Sequence, residues 1–250
     1  IIALSAMPAN PLQGAGTAED PYRITTPQEW NALASFMSKT ANNLQGEYVA
    51  VMNDTDFTGV AEGITPLGND GVTPFDGNFD GKGFAVKGYS YKTKEDGEGA
   101  LFGTIGAEGV VSNLTSAGEI SGGLGGPKGT TKLGHVGGFV GRLYGKLVNV
   151  TNTGKVKGIA TYNAGVAGFV QQGAVLDGVK NYGEITSSAA YVAGVAAYVY
   201  EDAEFNKCVN YGNISSSVAA GYAAGIAATA LPSKFVECVN EGQISSGSSA

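Results

Sequence analysis

The sequence predicts an all-β protein, a parallel β-helix (β-solenoid) that begins with a short α-helical cap. Three observations predict this fold: a motif that recurs five times, an alternation of apolar and polar residues within each copy, and a glycine count of 40 in 250 residues. The glycines follow no Gly-X-Y period, which excludes a collagen helix. A single copy is too short to bury its own apolar face, and stacking of like copies solves this problem.

The repeat is clearest around a central glycine. The five copies read NLTSAGEIS, VTNTGKVKG, VKNYGEITS, CVNYGNISS and CVNEGQISS. Their central glycines are Gly118, Gly154, Gly183, Gly212 and Gly242, at intervals of 36, 29, 29 and 30 residues. The long first interval contains the insertion GGLGGPKGTTK, which we interpret as a glycine-rich loop.

Within each copy the residues alternate with a period of two. Apolar residues stand four positions before the glycine and two after it, and the intervening positions are mostly polar. This alternation predicts short strands with one buried and one solvated face. A second strand lies upstream in each copy, where small residues alternate with Val, Ile or Phe, as in GHVGGFVG and NAGVAGFVQ.

An asparagine column falls on the predicted buried face. Its members stand two residues before the glycine, at Asn152, Asn181, Asn210 and Asn240. A buried amide must be hydrogen-bonded. Since strands of adjacent turns lie about 4.8 Å apart, each amide can bond the turns above and below it. We therefore expect an asparagine ladder along the solenoid axis.

The repeat resembles the GLUG-motif family of bacterial secreted and surface proteins. The residues that carry this resemblance are Gly138-Phe139-Val140-Gly141, followed by KLVNVTNTGKVKG. The upstream segments GTAEDPYRITTPQEWNALASF, EYVAVMNDTDFTG, ITPLG and PFDGNFDGKGFAVKG resemble the N-terminal turns that commonly precede such repeats. The resemblance implies a right-handed parallel β-helix, an adhesin-like role and an extracellular or cell-surface location.

The elements follow in order along the chain. Residues 1–15 have the character of a linker or of the tail of a preceding domain, and 16–250 of a single β-helix domain. Within that domain we expect a cap helix at about 27–39, N-terminal turns at 44–98 and GLUG-type repeats at 99–250. The cap helix follows from a capping box, Thr26 to Glu29, and from Trp30, Leu33 and Met37 on one helical face.

The pattern of the repeats is interrupted at the end of the sequence. ISSGSSA stops where earlier copies lead into the next upstream strand. We therefore expect that the native polypeptide continues, or that the last turn is left without a cap.

Composition excludes several functional classes. The net charge is −7, whereas nucleic-acid binding draws on basic residues that neutralise phosphate. No apolar run of about 18 residues is present, so the sequence contains no predicted transmembrane segment. Cys208 and Cys238 are too few for a disulfide scaffold and occupy an apolar column, which predicts two buried thiols.

Candidate chemical sites are sparse and each has a structural alternative. Asn53, Asp54 and Asp56 offer clustered oxygen ligands for Ca²⁺, or a strand-end turn with side-chain hydrogen bonds. No other cofactor is indicated. Asp76 and Asp80 could form a glycosidase pair, but each precedes a glycine, which is typical of turns.

His135 is the only histidine. A triad or a zinc site would need further members that the sequence does not supply. We expect His135 to be a solvated residue at a strand edge.

Tyrosines are the strongest candidates for ligand contact. Tyr182 and Tyr211 fall in an outward column, and Tyr162 and Tyr191 lie near strand ends, as do Tyr200 and Tyr222. Exposed aromatic side chains can bind sugar rings or protein side chains. The alternative is an aromatic ladder that only stabilises stacking.

Two functional classes remain after these exclusions. The first is a non-catalytic cell-surface or secreted module for binding or adhesion, with host or microbial glycans or surface proteins as partners. The second is a polysaccharide lyase or glycoside hydrolase on a β-helix scaffold. The scarcity of charged residues in the repeats favours the first class.

Overall fold

The protein is a parallel β-solenoid of about seven turns, with one short helix among the described residues, which confirms the predicted fold class. This computed structural model describes residues 9–69, 71–93, 98–122, 134–158, 160–188, 190–217 and 221–247. Residues 1–8 of the predicted linker and residues 123–132 of the predicted glycine-rich insertion lie outside the described residues.

The N-terminal part contains the helix and five strands, and the first repeat follows it. The N-terminal elements are β1 (Tyr22–Ile24), α1 (Pro27–Thr40), β2 (Tyr48–Val51), β3 (Thr55–Asp56), β4 (Asn78–Asp80) and β5 (Ala85–Thr93). The next turn contains β6 (Glu98–Gly99), β7 (Phe102–Ile105), β8 (Val110–Ser112) and β9 (Thr115–Gly122).

Each of the following four turns contains five short strands. The first of them has β10 (His135–Gly137), β11 (Val140–Leu143), β12 (Lys146–Val148), β13 (Thr151–Asn152) and β14 (Lys155–Gly158). The second has β15 (Tyr162–Ala164), β16 (Ala167–Val170), β17 (Val175–Asp177), β18 (Lys180–Asn181) and β19 (Ile185–Ser187). The third has β20 (Tyr191–Ala193), β21 (Ala196–Val199), β22 (Glu204–Asn206), β23 (Val209–Asn210) and β24 (Ile214–Ser216). The fourth has β25 (Tyr222–Ala224), β26 (Ala227–Ala230), β27 (Lys234–Val236), β28 (Val239–Asn240) and β29 (Ile244–Ser246).

Equivalent strands of successive turns pair in parallel and build four sheets. Sheet A contains β1, β2, β4, β8, β12, β17, β22 and β27. Sheet B contains β3, β5, β9, β13, β14, β18, β19, β23, β24, β28 and β29. Sheet C contains β7, β11, β16, β21 and β26, and sheet D contains β6, β10, β15, β20 and β25.

The helix α1 closes the apolar interior at the N-terminal end. It starts with a complete capping box, in which Thr26 accepts a hydrogen bond from the Glu29 amide and Glu29 accepts one from the Thr26 amide. Its buried face consists of Trp30, Leu33, Ala34 and Met37. The Trp30 ring packs edge to face on Phe79 and Phe102, with centroid distances of 5.7 and 5.8 Å.

The asparagine column forms a ladder inside the solenoid. Nδ2 of each residue donates to Oδ1 of the next, at 2.8, 2.7 and 2.8 Å, from Asn152 through Asn181 and Asn210 to Asn240. Each amide also donates to the carbonyl two residues onward, as Asn181 does to Gly183 at 3.0 Å. These bonds fix the register between turns because a slipped strand would leave buried amides unpaired.

Close packing beside the ladder explains the glycines of the motif. A Cβ on Gly183 would lie 1.8 Å from the carbonyl oxygen of Gly154 in the preceding turn. A Cβ on Gly165 would lie 2.4 Å from Cγ of Asn181. Both positions therefore require glycine for space, since their backbone is not in the left-handed region.

The ladder changes composition at its N-terminal end. Ser116 takes the asparagine position, and its hydroxyl donates to the carbonyl of Gly138 at 2.6 Å. Tyr89, which a bulge in β5 places inside the solenoid, donates its own hydroxyl to Ser116 at 2.5 Å. Because of this burial, the pKa of Tyr89 rises to about 12.

At the C-terminal end the inward columns reach solvent. Phe205 is fully buried, whereas its partner Phe235 in the last turn is 40% exposed. The two cysteines follow the same gradient: Cys208 is buried, Cys238 is half-buried and both are free thiols.

The segment 9–15, expected to belong to a linker, packs against the first turn. Leu12 is buried in the core, and the Arg23 amide donates to the carbonyl of Gln13 at 2.9 Å.

Candidate ligand-binding groove

Two columns of large side chains project outward from sheets C and D. The sheet D column, in register along the axis, is Glu98, His135, Tyr162, Tyr191 and Tyr222. The sheet C column is Thr104, Arg142, Phe169, Tyr198 and Thr229. Small residues stand two positions after the sheet D column and one position before the sheet C column, which leaves room for the large side chains: Gly137, Ala164, Ala193 and Ala224 in sheet D, and Gly141, Gly168 and Ala197 in sheet C.

Aromatic rings stack along each column at the spacing of the turns. In sheet D the centroid of Tyr162 lies 5.0 Å from that of Tyr191, which lies 5.2 Å from that of Tyr222. In sheet C the rings of Phe169 and Tyr198 are stacked at 5.1 Å. These distances follow from a strand separation of about 4.8 Å.

The two stacks meet each other outside the solenoid. Tyr162 contacts Phe169 edge to face at 5.3 Å, and Tyr191 contacts Tyr198 in the same way at 6.1 Å. Outward side chains of neighbouring sheets can touch only where the sheets meet at a concave angle. We call this concave surface, lined by Tyr162, Phe169, Tyr191, Tyr198, Tyr200 and Tyr222, the aromatic groove.

Exposure increases along the aromatic groove toward the C-terminal turns. Tyr162 is only 8% exposed, which differs from the expectation of an exposed ligand contact. The rings of Phe169 and Tyr198 pack against it, and burial together with the neighbouring tyrosines raises its pKa. Tyr200 and Tyr222 are exposed and Tyr191 is half-buried, so these residues provide the accessible surface.

A charged cluster occupies the N-terminal end of the aromatic groove. Oε1 of Glu98 lies 3.1 Å from Nδ1 of His135 and 3.2 Å from Nη2 of Arg142. The expectation of a solvated His135 was wrong: its side chain is 5% exposed. The reason is the concave corner, where the imidazole stacks on Tyr162 and meets the edge of Phe169.

The second tyrosine pair lies on another face. Tyr182 and Tyr211 project from sheet B, where their rings stack at 4.5 Å with an interplanar angle of 9°. Their position on sheet B separates them from Tyr162 and Tyr191, which belong to sheet D. Both are exposed and therefore accessible to a ligand.

The carboxylates expected at a Ca²⁺ site have protein partners. Asp54 accepts hydrogen bonds from Lys87 Nζ at 2.8 Å and from the Ala85 amide, and these bonds lower its pKa. Asp56 accepts from the Thr58 side chain and from the Thr58 amide, the latter at 2.9 Å, and these bonds lower the pKa of Asp56 as well. The Asn53 side chain donates to the carbonyl of Thr25, which precedes helix α1, and to the carbonyl of Asp54. Within the described ranges, no group of three or more His, Cys, Asp or Glu side chains is arranged to hold a metal ion.

The two Asp-Gly sequences face different clefts. Asp76 lines a cleft of about 320 Å³ together with Arg142 and Tyr144. Asp80 lines another of the same size and pairs with Lys82 at 2.9 Å. The two carboxylates are therefore not brought together as a glycosidase pair.

Sequence reasoning missed Glu98, Arg142, Phe169 and Tyr198 as members of the site. The available signal was the column alignment of the upstream strands, in which His135, Tyr162, Tyr191 and Tyr222 occupy one position. The angle between sheets C and D, which brings their two columns into contact, depends on the tertiary structure, so no local sequence pattern indicates it.

Comparison with known proteins shows a similarity in sequence and a similarity in fold. No family model matches this chain. A protein of Evansella cellulosilytica named "Putative Gly-rich membrane protein" is 28% identical over 142 residues, which is 55% of this chain. The chain spans 15% of the length of that relative.

A solved structure extends the likeness to nearly the whole fold. It is described as a "putative immunoglobulin A1 protease from Bacteroides ovatus" and superposes with a TM-score of 0.63, over 94% of this chain and 79% of its own. At 16% identity, this likeness supports the β-helix fold alone. In the part of the chain that the structure describes, α1 is too short and too polar to cross a bilayer, and no other helix qualifies.

Proposed function

We propose that this chain is a non-catalytic binding module of a secreted or cell-surface protein, and that it binds an extended carbohydrate chain along the aromatic groove. The observation that carries the proposal is the ordered array of accessible tyrosines that runs parallel to the solenoid axis. Tyrosine rings combine apolar surface with a hydroxyl group, which suits sugars that are apolar on one face and polar at their edges.

The repeat geometry favours a chain-like ligand. Successive tyrosines are 5.0 to 5.2 Å apart, which is comparable with the length of one sugar residue in an extended glycan. Each contact is modest, but several neighbouring contacts on one ligand add up through effective concentration.

The charged groups of the groove favour binding over catalysis. The carboxylate of Glu98 is held by His135 and Arg142, and the rings of Tyr162 and Phe169, which meet edge to face, pack against His135. Glycoside hydrolysis by the common route needs two carboxylates on opposite sides of the scissile bond.

A surface location agrees with the available likenesses. The GLUG-type motif is associated with bacterial surface proteins, and the name of the Evansella relative describes a membrane protein. Both support display of the aromatic groove outside the cell.

The test compares two matched pairs of tyrosines, each pair taken from two successive turns. Tyr191→Ala with Tyr222→Ala removes groove rings, whereas Tyr182→Ala with Tyr211→Ala removes the exposed pair on sheet B. Glycan-array screening followed by calorimetry should show carbohydrate binding that the groove variant loses by about tenfold or more and the sheet B variant retains. Loss only in the sheet B variant would move the site to that face.

Two further results would overturn the proposal. The first is that the wild-type protein binds no glycan. The second is that it shortens a polysaccharide, with new reducing ends or unsaturated products, because that would make the chain an enzyme.

A further inference from the structure

The cleft beside the charged cluster adjoins the N-terminal end of the aromatic groove at Arg142. Arg142 belongs to both, since it precedes Phe169 in the sheet C column and also lines the 320 Å³ cleft with Asp76 and Tyr144. A ligand that follows the groove toward the N-terminal turns therefore reaches this cleft, which we call the Arg142 cleft. Its volume lies at the lower end of the range of small-ligand pockets.

The Arg142 cleft offers both hydrogen-bond donors and acceptors. Nη2 of Arg142 contacts Glu98 and His135, while Nε has no partner among the described residues and one third of the side chain is exposed. Nε is itself buried, so the N–H groups that a ligand can reach are those at the exposed end of the guanidinium. The Asp76 carboxylate accepts from Asn43 Nδ2 at 2.8 Å and from the Glu108 amide at 3.2 Å, which leaves further lone pairs for a ligand.

The position of Asp76 is built into the backbone. A Cβ on Gly106 would lie 2.0 Å from its Oδ1, so only glycine at this point lets the carboxylate rest against the next turn. Tyr144, which directly follows β11, is exposed, and its ring lines the Arg142 cleft. An aromatic ring beside a carboxylate and a guanidinium is a combination suited to sugar hydroxyls, which donate and accept at once.

Charge decides which sugars suit the Arg142 cleft. The guanidinium of Arg142 lies 3.2 Å from the Glu98 carboxylate and shares the cleft with the Asp76 carboxylate, and the whole chain carries a net charge of −7. An acidic sugar would meet repulsion from both carboxylates, and a cationic one would leave the arginine donors unpaired. A neutral sugar satisfies both kinds of group.

We infer that the Arg142 cleft is a subsite for a neutral sugar residue of the bound glycan, with hydroxyls bonded to Asp76 and Arg142 and the ring against Tyr144. This inference rests on the proposed function and names the chemical class of its ligand. Asp76 and Tyr144 are then the residues that determine specificity at one end of the groove.

Calorimetry with defined hexasaccharides tests the inference. The probes are cellohexaose, mannohexaose and hexagalacturonate, and the variants are Asp76→Asn and Tyr144→Ala. Asp80→Asn is the matched control, since Asp80 also precedes a glycine but lines a different cleft. Thermal melting of each variant shows whether it is folded, and Tyr144→Ala, which truncates an exposed side chain, covers the case in which Asp76→Asn is not.

We expect a neutral hexasaccharide to bind at least about tenfold more tightly than hexagalacturonate. Asp76→Asn and Tyr144→Ala should each weaken that binding by about tenfold, and Asp80→Asn by less than about twofold. Tighter binding of hexagalacturonate, or unchanged affinity in the folded Asp76 and Tyr144 variants, would overturn the inference.

The outcomes separate this inference from the proposed function. Unchanged affinity in the cleft variants, combined with loss in the Tyr191 and Tyr222 variant, would remove the subsite and leave the groove intact. Failure of every hexasaccharide and every arrayed glycan to bind would remove the proposed function itself, and the subsite with it.

Discussion

Replacing Asn181 by leucine should destabilise the solenoid by about 3 kcal/mol. The substitution removes the bond from Asn152 Nδ2 at 2.8 Å, the bond to Asn210 Oδ1 at 2.7 Å, and the bonds to the carbonyl and amide of Gly183 at 3.0 and 3.2 Å. Four partners, all buried, lose a hydrogen bond worth about 1 kcal/mol each. The apolar leucine offsets about 1 kcal/mol of this loss through its own burial.

Asn240→Leu is the matched control for this prediction. Asn240 occupies the same column and makes the same type of bond, but it is exposed in the last turn, where water can replace the lost partners. We expect it to lose less than about 1 kcal/mol. Urea unfolding followed by far-ultraviolet circular dichroism measures both variants, with equal m-values required for the comparison. A loss below about 1 kcal/mol for Asn181→Leu, or equal losses for the two variants, would refute the ladder as a source of stability.

Three further predictions concern other buried positions. Burial raises the pKa of Tyr89 to about 12, so between pH 10 and 12 the unfolded chain releases this proton while the folded chain keeps it. The free energy of unfolding should therefore fall by about 1.4 kcal/mol per pH unit over that window. Urea titrations at several pH values measure this slope, and Tyr89→Phe should remove the part that Tyr89 contributes. Gly183→Ala should lower stability by more than about 2 kcal/mol in the same assay, because its Cβ would lie 1.8 Å from the oxygen of Gly154; a neutral effect would contradict the close packing. In the folded protein a maleimide should modify half-buried Cys238 before buried Cys208, as read by peptide mass spectrometry, and the opposite order would contradict the burial gradient.

The fold and the ladder could be predicted because they repeat at one sequence interval. Stacked turns place like residues over like, so the spacing of Asn152, Asn181 and Asn210 in the sequence is also their spacing in the structure. The resemblance to GLUG-type repeats also indicated the order of the elements along the chain, from the helical cap to the repeats.

The groove could be predicted only in part. Tyr191 was predicted as a candidate ligand contact near a strand end, but the burial of Tyr162 depends on the angle between sheets C and D, which no single strand encodes. The pairing of Glu98 with His135 spans 37 residues and crosses the glycine-rich insertion, so the regular interval did not reveal it. Features that follow the repeat were thus accessible from sequence, and features that join two sheets or cross an insertion were not.

The most direct test of the account is a crystal structure of the protein with the hexasaccharide that binds it most tightly. The account predicts sugar density along the aromatic groove, in contact with Tyr191 and Tyr222, and a terminal residue in the Arg142 cleft within hydrogen-bonding distance of Asp76. Sugar density on the sheet B face at Tyr182 and Tyr211, with an empty aromatic groove, would contradict it.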